Sequence, residues 1–232
     1  MQPKIKLYAD GAELKGMLEL YEQHMVSGFT TNPTLMRKSG ITDYKKFAKS
    51  VIKAIPDLPI SFEVFSDDFY EMEREAREIS SWGDNVYVKI PVTNSRGEST
   101  IPLIRDLRAI KLNITAILTT NQVNEVVNAL SSYTPSIVSV FAGRIADTGV
   151  NPEDIMRNAL TMIRKKKHCE LLWASTRELY NIIQAEHCGC QIITVPNDIL
   201  KKLPLLGKNL TELSLDTVRM FREDAIASGY KI

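Results

Sequence analysis

Cysteine, net charge and long apolar runs are all scarce in this chain of 232 residues. Cys169, Cys188 and Cys190 are an odd number without a disulfide framework, which favours a reducing compartment and predicts a cytoplasmic protein. A formal net charge of +1 gives no electrostatic reason to expect nucleic-acid or membrane partners. No run approaches the roughly 20 apolar residues of a membrane span. No signal peptide is expected either, because Met1-Gln2-Pro3-Lys4 leads straight into a strand.

One stretch contains residue types that bind metal ions. His187-Cys188-Gly189-Cys190 places three candidate ligands together, but no fourth ligand follows at a familiar spacing. We therefore expect small buried thiols at this position. The activity is expected to need no metal and no organic cofactor.

Short apolar runs recur along the chain at fairly even spacing, each bounded by polar, Gly or Pro residues, as is typical of β-strands. They are Ile5–Ala9, Gly28–Thr31, Ile60–Phe65, Val86–Pro91, Leu112–Leu118, Ile137–Ala142, Glu170–Ala174 and Gln191–Val195. Amphipathic, helix-like segments lie between and after these runs. The segments are Ala12–Met25, Asp43–Ala54, Asp68–Trp82, Leu103–Ile110, Asn121–Leu130, Pro152–Lys165, Arg177–Glu186, Asp198–Leu203 and Leu210–Ala227.

Strand and helix alternate throughout, which predicts parallel strands joined by helical crossovers. Eight such units favour one α/β fold, a single (β/α)8 TIM barrel domain over residues 1–232 with an additional C-terminal helix at about 210–227. The alternative is an open doubly wound sheet. The usual phosphate-binding turn of that fold is missing, because Ala9-Asp10-Gly11-Ala12 is no G-x-G-x-x-G.

Polar residues stand near the ends of the predicted strands, and the active site of a (β/α)8 barrel lies at those C-terminal ends. In strand order they are Asp10; Thr30, Thr31 and Asn32; Glu63; Lys89; Asn113 and Thr115; Ser139; Ser175; and Thr194. Buried polar groups must all find partners, so their convergence on one mouth favours a functional site. A structural network of charges inside the barrel is the alternative.

Lys89 is the most informative of these residues, since it lies in the apolar stretch Asn85–Val92, which has the pattern of a buried strand. Burial disfavours a charged ammonium, and a neutral amine is a nucleophile that attacks carbonyl carbons. The pattern therefore suggests Schiff-base chemistry, with Asp10 and Glu63 as acid–base groups. The structural alternative is a lysine that reaches solvent or pairs with Glu63, while Asp10 caps a helix.

Two arginines follow adjacent predicted strands, six and seven, at Arg144 and Arg177. Two guanidinium groups, together with Ser175 and its backbone N–H, suggest a phosphate clamp. Barrels often bind phosphate near strands seven and eight. The alternative is that each arginine ties down its own loop.

These residues fall into ordered motifs, and the chain resembles the transaldolase family, in the short-chain branch together with the fructose-6-phosphate aldolases. The resemblance runs from Leu7 to about Leu203. A single motif would be weak, but six in strand order are specific. They are Ala9-Asp10, Gly28-Phe29-Thr30-Thr31-Asn32-Pro33-Thr34, Val88-Lys89-Ile90-Pro91, Leu112-Asn113-Ile114-Thr115-Ala116, Ser139-Val140-Phe141-Ala142-Gly143-Arg144-Ile145-Ala146-Asp147 and Ala174-Ser175-Thr176-Arg177.

The resemblance implies sugar-phosphate substrates and transfer of a dihydroxyacetone unit from fructose 6-phosphate or sedoheptulose 7-phosphate to an aldose phosphate, in the pentose phosphate pathway. Lys89 would form the Schiff base, and Asp10 would take the proton from the donor hydroxyl. Glu63, with Thr115, would position the water that moves protons during imine formation. The implied binding residues are Thr30, Asn32, Asn113 and Ser139 for the donor hydroxyls, and Arg144, Ser175 and Arg177 for the phosphate.

Two positions separate the branches of this family. The aldolases are known for a glutamine on strand three and a tyrosine on strand six, whereas this chain has Glu63 and Phe141, the transaldolase pattern. A tyrosine could help to protonate the enamine and release free dihydroxyacetone, which phenylalanine cannot do. The alternatives are an aldolase, an enzyme for another sugar phosphate, and a barrel that binds sugar phosphates without catalysis. Ala9-Asp10-Gly11-Ala12 and Thr176 depart from the family's usual residues and leave the substrate open.

The predicted C-terminal helix carries Leu213, Val218 and Phe221 beyond the barrel. Apolar side chains at such a position suggest contact with another copy of the chain. Short-chain relatives form rings, so the resemblance implies a ring-type homo-oligomer such as a decamer.

Overall fold

A closed barrel of parallel strands forms the centre of the molecule, for which the computed structural model describes residues 3–231. Met1 and Gln2, where no signal peptide is expected, and Ile232 lie outside the described residues. Within the described range, eight strands pair in chain order and β8 pairs with β1, so the predicted (β/α)8 barrel is confirmed. The strands are β1 (Lys6–Asp10), β2 (Gly28–Thr30), β3 (Ile60–Glu63), β4 (Val86–Pro91), β5 (Leu112–Ile117), β6 (Ser136–Val140), β7 (Cys169–Trp173) and β8 (Ile192–Pro196).

Helices follow the strands around the outside of the barrel, as alternating βα units require. In the described residues they are α1 (Leu14–Glu22), α2 (Pro33–Lys38), α3 (Tyr44–Ala54), α4 (Phe69–Ser80), α5 (Ile101–Asp106), α6 (Thr120–Ala129), α7 (Ala142–Asp147), α8 (Pro152–Ile163), α9 (Tyr180–Cys188), α10 (Asn197–Leu200) and α11 (Leu210–Ala227), with a 3₁₀ turn at Leu203–Leu205. No helix of residues 3–231 is long and apolar enough to cross a bilayer.

Helices α2 and α7 are not predicted by the sequence pattern. Each begins soon after a strand and has only six residues, and so short a helix does not show an amphipathic period in the sequence. Asn32 caps α2, because its side chain accepts a hydrogen bond from the Leu35 N–H, and Pro33 occupies the first turn. The prediction that strand six continues to Ala142 is wrong, because α7 begins at that residue.

The barrel has two apolar cores. The larger lies between the sheet and the helices and includes Phe29, Phe62 and Trp173. The smaller lies inside the barrel, on the alternate, inward-facing positions of the strands. Its members are Tyr8, Ile137, Leu172, Ala174 and Ile192, with Tyr87 and Phe141 packed against them. Gly28 makes room for this core, since a Cβ there would lie 2.6 Å from the Tyr8 ring.

The stretch His187-Cys188-Gly189-Cys190 ends helix α9. Gly189 adopts the left-handed conformation with φ of 81°, and the Cys190 N–H donates to the Ala185 carbonyl at 3.0 Å. This is the usual geometry of a glycine helix terminus. Cys188 and Cys190 are buried free thiols, and burial raises the pKa of both. Helix termination therefore accounts for the arrangement of these residues.

Helix α11 has the predicted bounds and differs from the other long helices in its packing. None of its described side chains is buried. Of the three apolar residues that the sequence analysis names on this helix, Val218 and Phe221 are exposed and Leu213 is half-buried, and Leu215 is exposed as well. Large exposed apolar patches are typical of interaction sites on soluble proteins.

Candidate active site

A cavity of about 400 Å³ opens at the C-terminal end of the barrel, where the active site is expected. Eleven of the twelve predicted site residues line it, and Asn113 is the exception. The eleven are Asp10, Thr30, Asn32, Glu63, Lys89, Thr115, Ser139, Phe141, Arg144, Ser175 and Arg177. The structure therefore brings together side chains from β1 to β7, which are far apart in the sequence.

Lys89 lies on β4 beside Glu63 of β3, its partner in the strand register. Its Nζ donates to the Thr31 carbonyl at 2.8 Å and lies 3.1 Å from Glu63 Oε2. The two side chains are 8% and 17% exposed, so solvent screens the ion pair far less than a surface pair. The Thr31 carbonyl takes one of the three donors of the ammonium. Lys89 also lines the cavity, where a bound substrate would lie.

The ion pair between Lys89 and Glu63 is the arrangement that a purely structural account also predicts. Two features go beyond that account. The amine faces an open cavity, and a second carboxylate, Asp10, lines the same space. A nucleophile flanked by two carboxylates matches the requirements of imine and aldol chemistry.

Asp10 ends β1 and is held by hydroxyl and amide donors from β2 and its loop. Thr30 Oγ1 donates to Asp10 Oδ1 at 2.9 Å, and Asn32 Nδ2 lies 3.4 Å from Oδ2. Desolvation by burial raises the pKa of Asp10, outweighing the opposing effects of the Lys89 charge and these two hydrogen bonds. A raised pKa makes a carboxylate a stronger base near neutral pH.

Thr194 supports this arrangement from β8. Its Oγ1 lies 2.5 Å from Thr30 Oγ1. Because the Thr30 proton is donated to Asp10, Thr194 must be the donor in this contact. The two threonines therefore form a short chain of hydrogen bonds that ends on the Asp10 carboxylate.

Thr115 lies beside an irregularity in β5. The register with β6 shifts between Ile114 and Ile117, and Ala116 has φ of 58°. Thr115 Oγ1 is buried and has no hydrogen-bond partner among the described residues. Buried hydroxyls normally find a partner, so this one is suited to a bound water or a substrate hydroxyl.

Asn113 lies below the cavity rather than in its lining. Its side chain is fully buried, donates to Ser61 Oγ at 3.0 Å and accepts from Ser139 Oγ at 2.6 Å. Ser139 lines the cavity. In this structure Asn113 therefore meets the cavity through Ser139, and direct contact with a donor hydroxyl stays a prediction.

The predicted phosphate clamp lies where α7 meets the loop after β7. The Arg144 guanidinium stands 5.7 Å from the centre of the Phe141 ring. Arg177 forms a salt bridge with Asp147 of α7, with Nε 3.1 Å from Oδ1. Arg177 thus links its own loop to α7, as the structural alternative predicts for each arginine.

Gly143 and Ser175 bring these two loops together. A Cβ on Gly143 would lie 1.6 Å from the Ser175 carbonyl oxygen, which excludes every other residue without backbone movement. Ser175 itself has φ of 61°, a conformation that non-glycine residues adopt rarely and mostly at functional sites.

Some residues that shape the site have no assigned role in the sequence analysis. Thr31 and Thr194 appear there only as polar residues at strand ends, and Ser61 and Tyr44 are not named as site residues. Thr194 is visible in the sequence as a polar residue ending strand eight. Tyr44 gives no such signal. In the sequence it reads as one more apolar residue on the buried face of an amphipathic helix.

Comparison with known proteins identifies relatives over almost the whole chain. The family model described as Transaldolase/Fructose-6-phosphate aldolase matches residues 7–232. A probable transaldolase from a Thermoanaerobacter species is 32% identical over 98% of this chain and 100% of its own length. A probable transaldolase from Pelotomaculum thermopropionicum is 33% identical over 95% and 97%, respectively.

Solved structures with the same fold are more distant in sequence. KGPDC from Streptococcus mutans superposes with a TM-score of 0.59 at 10% identity, covering 86% of this chain and 91% of that protein. 3-Hexulose-6-phosphate synthase from Salmonella typhimurium gives a TM-score of 0.56 at 15% identity, with coverage of 83% and 89%. At these identities the likeness supports the barrel fold alone.

Proposed function

The chain belongs to the transaldolase/fructose-6-phosphate aldolase family, and from that premise we propose that it is a class I transaldolase acting through a Schiff base on Lys89. The observation that carries the proposal is the position of Lys89 Nζ. It is buried, lines the cavity, and lies 3.1 Å from Glu63 Oε2, with Asp10 in the same lining. The proposed reaction moves a dihydroxyacetone unit from a ketose phosphate to an aldose phosphate.

Imine formation begins when the unprotonated Lys89 amine attacks the ketose carbonyl carbon. The carbinolamine then loses water, and a protonated imine remains. Proton transfers in this step need a group that can both accept and donate. Glu63, which already contacts the amine, takes this role through a water held with the unpaired Thr115 hydroxyl.

Cleavage of the bond between C3 and C4 follows. The Asp10 carboxylate removes the proton from the C4 hydroxyl, the C4–O group becomes an aldehyde, and the C3–C4 electron pair moves into the protonated imine. The product is an enamine on Lys89 and a free aldose phosphate. Thr30 and Asn32 hold the Asp10 carboxylate in place for this step.

Transfer is the reverse reaction with a second aldehyde. The enamine attacks the acceptor's carbonyl carbon, Asp10 returns its proton to the new C4 oxygen, and hydrolysis of the imine frees the product. Arg144, Ser175 and Arg177 are proposed to bind the phosphate. Arg177 would then exchange its Asp147 partner, at least in part, for the substrate phosphate.

Transfer is favoured over simple aldol cleavage by Phe141, which lines the cavity. Phenylalanine has no proton to give to the enamine, so the enamine should persist until an acceptor arrives. A fructose-6-phosphate aldolase is the second candidate, and a single assay separates the two.

We expect sustained release of glyceraldehyde 3-phosphate from fructose 6-phosphate when erythrose 4-phosphate is present, and one turnover or less in its absence. A coupled dehydrogenase assay measures the release. The matched variant Phe141→Tyr is expected to increase release in the absence of the acceptor. Sustained release by the unmodified protein without acceptor would identify an aldolase. Silence in both assays would favour another sugar phosphate or a binding protein.

We also propose that α11 packs against another copy of the chain, as its exposed apolar residues suggest. Multi-angle light scattering at micromolar concentration should show an oligomer. The double variant Val218→Ser/Phe221→Ser should have a lower measured mass than the unmodified protein. These two side chains are 60% and 62% exposed in the single chain, and serine would remove the apolar surface that they offer to a second copy. Thr217→Ala, on the same helix, is the control and should keep the mass. A monomeric unmodified protein would contradict the proposal.

A further inference from the structure

The backbone of Glu63 lies at a gap in the hydrogen-bond ladder of the barrel. The paired register of β2 and β3 covers Phe29 with Ile60 and Thr30 with Ser61. The Thr31 N–H adds a further bond to the Ser61 carbonyl at 3.1 Å. In a parallel ladder, the next bonds would join the Glu63 N–H to the Thr31 carbonyl, and the Glu63 carbonyl to the N–H of residue 33.

Neither of these two bonds is available to Glu63. Residue 33 is proline, which has no N–H to donate. The Thr31 carbonyl accepts from Lys89 Nζ at 2.8 Å instead. The residue that carries the carboxylate next to the reactive amine is thus left without its strand partners on the β2 side.

The Tyr44 hydroxyl of helix α3 takes both places. It accepts from the Glu63 N–H at 2.8 Å and donates to the Glu63 carbonyl at 3.0 Å. A phenol can do this because it has one donor and acceptor lone pairs on the same oxygen. One side chain therefore substitutes for two backbone groups of a missing strand.

The Tyr44 ring packs within an aromatic cluster. Its ring centre lies 4.4 Å from that of Phe65, 5.7 Å from that of Trp82 and 6.0 Å from that of Phe62, in edge-to-face geometry. Such pairs add stability beyond their buried area. None of these rings lines the cavity, so the Tyr44 hydroxyl is positioned by contacts outside the candidate site.

We propose that Tyr44 is a positioning residue for Glu63, and through it for Lys89; this inference rests on the proposed function. Without the hydroxyl, the Glu63 N–H would turn to the nearest backbone acceptor, the Thr31 carbonyl. That carbonyl would then be shared with Lys89 Nζ. Both the Glu63 carboxylate and the amine would lose part of the geometry that imine formation needs.

Tyr44→Phe tests this directly, since it removes the hydroxyl and keeps the ring. We expect kcat for acceptor-dependent transfer to fall about 10- to 100-fold, with KM changed by less than about threefold. Tyr21→Phe is the matched control, because it also deletes a tyrosine hydroxyl with a hydrogen bond, to Asp57 at 2.6 Å on the surface. The control is expected to keep the activity of the unmodified protein.

A double-mutant cycle separates positioning from general destabilisation. In a Glu63→Gln background, Tyr44→Phe should lower kcat by a smaller factor than in the unmodified protein, because the carboxylate that Tyr44 positions is gone and only the effect on the amine remains. Equal fold losses in both backgrounds would overturn the inference, as would normal kcat in Tyr44→Phe. If the unmodified protein itself showed no transfer activity, that result would instead count against the proposed function.

Hydrogen exchange provides a test that needs no variant. The Glu63 amide of the unmodified protein should be protected, because the Tyr44 hydroxyl accepts its proton. Exchange as fast as that of an exposed loop amide would overturn the inference, even if Tyr44→Phe proved too unstable to assay.

Discussion

Replacing Lys89 with Ala is expected to lower transfer activity by about 100,000-fold or more, the scale seen when a covalent nucleophile is removed. The imine on Lys89 is what accepts the electrons of the breaking bond, and no other lysine lines the cavity formed by the described residues. Steady-state rates of glyceraldehyde 3-phosphate release measure the effect. Circular dichroism should show an intact barrel.

Lys6→Ala provides the matched control for this experiment. Lys6 is also a strand lysine with a carboxylate partner, Glu170 at 2.8 Å, but it begins β1, at the opposite end of the barrel from the cavity. Its replacement should leave transfer unchanged. Substantial residual activity in a folded Lys89→Ala variant would show that the amine is not the nucleophile.

Asp10→Asn is expected to have the second-largest effect, a loss of about 100- to 10,000-fold in kcat, the range for a general base. The amide keeps the shape of the side chain but cannot remove the C4 hydroxyl proton. Imine formation does not use this base, so borohydride should still reduce the uncleaved imine of fructose 6-phosphate and trap the six-carbon substrate on the variant. Failure to trap would mean that Asp10 acts earlier than cleavage, and unchanged kcat would exclude it as the base.

The same variant has an expected effect on stability. Because burial raises the pKa of Asp10 in the folded state above its ordinary value of 3.8, the stability that it contributes is present below that value and is lost as pH rises through the folded-state pKa. Asparagine does not titrate. The melting temperature of Asp10→Asn should therefore exceed that of the unmodified protein at pH 8, with a smaller difference towards acidic pH.

Thermal melts at several pH values test this expectation. A lower melting temperature of Asp10→Asn at pH 8 would indicate that the hydrogen bonds from Thr30 and Asn32 outweigh desolvation. Together with the kinetic result, a stability gain would mark Asp10 as a residue kept for function at the expense of stability.

The barrel fold and most residues of the candidate site can be predicted from the sequence, because two periodic patterns are visible in it. Strand–helix alternation fixes the fold, and alternation within strands puts Asp10, Glu63 and Lys89 on inward positions. Strand bounds differ from the prediction mainly by one or two residues. α2 and α7 escape prediction since their formation depends on a cap and on the preceding strand end, not on amphipathic spacing.

Depth inside the barrel is not encoded in that alternation. Asn113 and Thr115 share the inward face of β5, yet Thr115 lines the cavity and Asn113 lies beneath it. Two further contacts join elements that are distant in the sequence: Arg177 pairs with Asp147, and Tyr44 contacts Glu63. Sequence patterns do not show how such elements are placed relative to each other. A side chain of a helix that hydrogen-bonds the backbone of a strand, as Tyr44 does, leaves no periodic signal in the sequence.

The most direct test of the central claim is to reduce the protein with borohydride in the presence of fructose 6-phosphate and to map the adduct by peptide mass spectrometry. We expect a single reduced dihydroxyacetone adduct on the peptide that contains Lys89, and none when substrate is omitted. An adduct on a different lysine, or turnover without any trapped adduct, would contradict a Schiff base on Lys89.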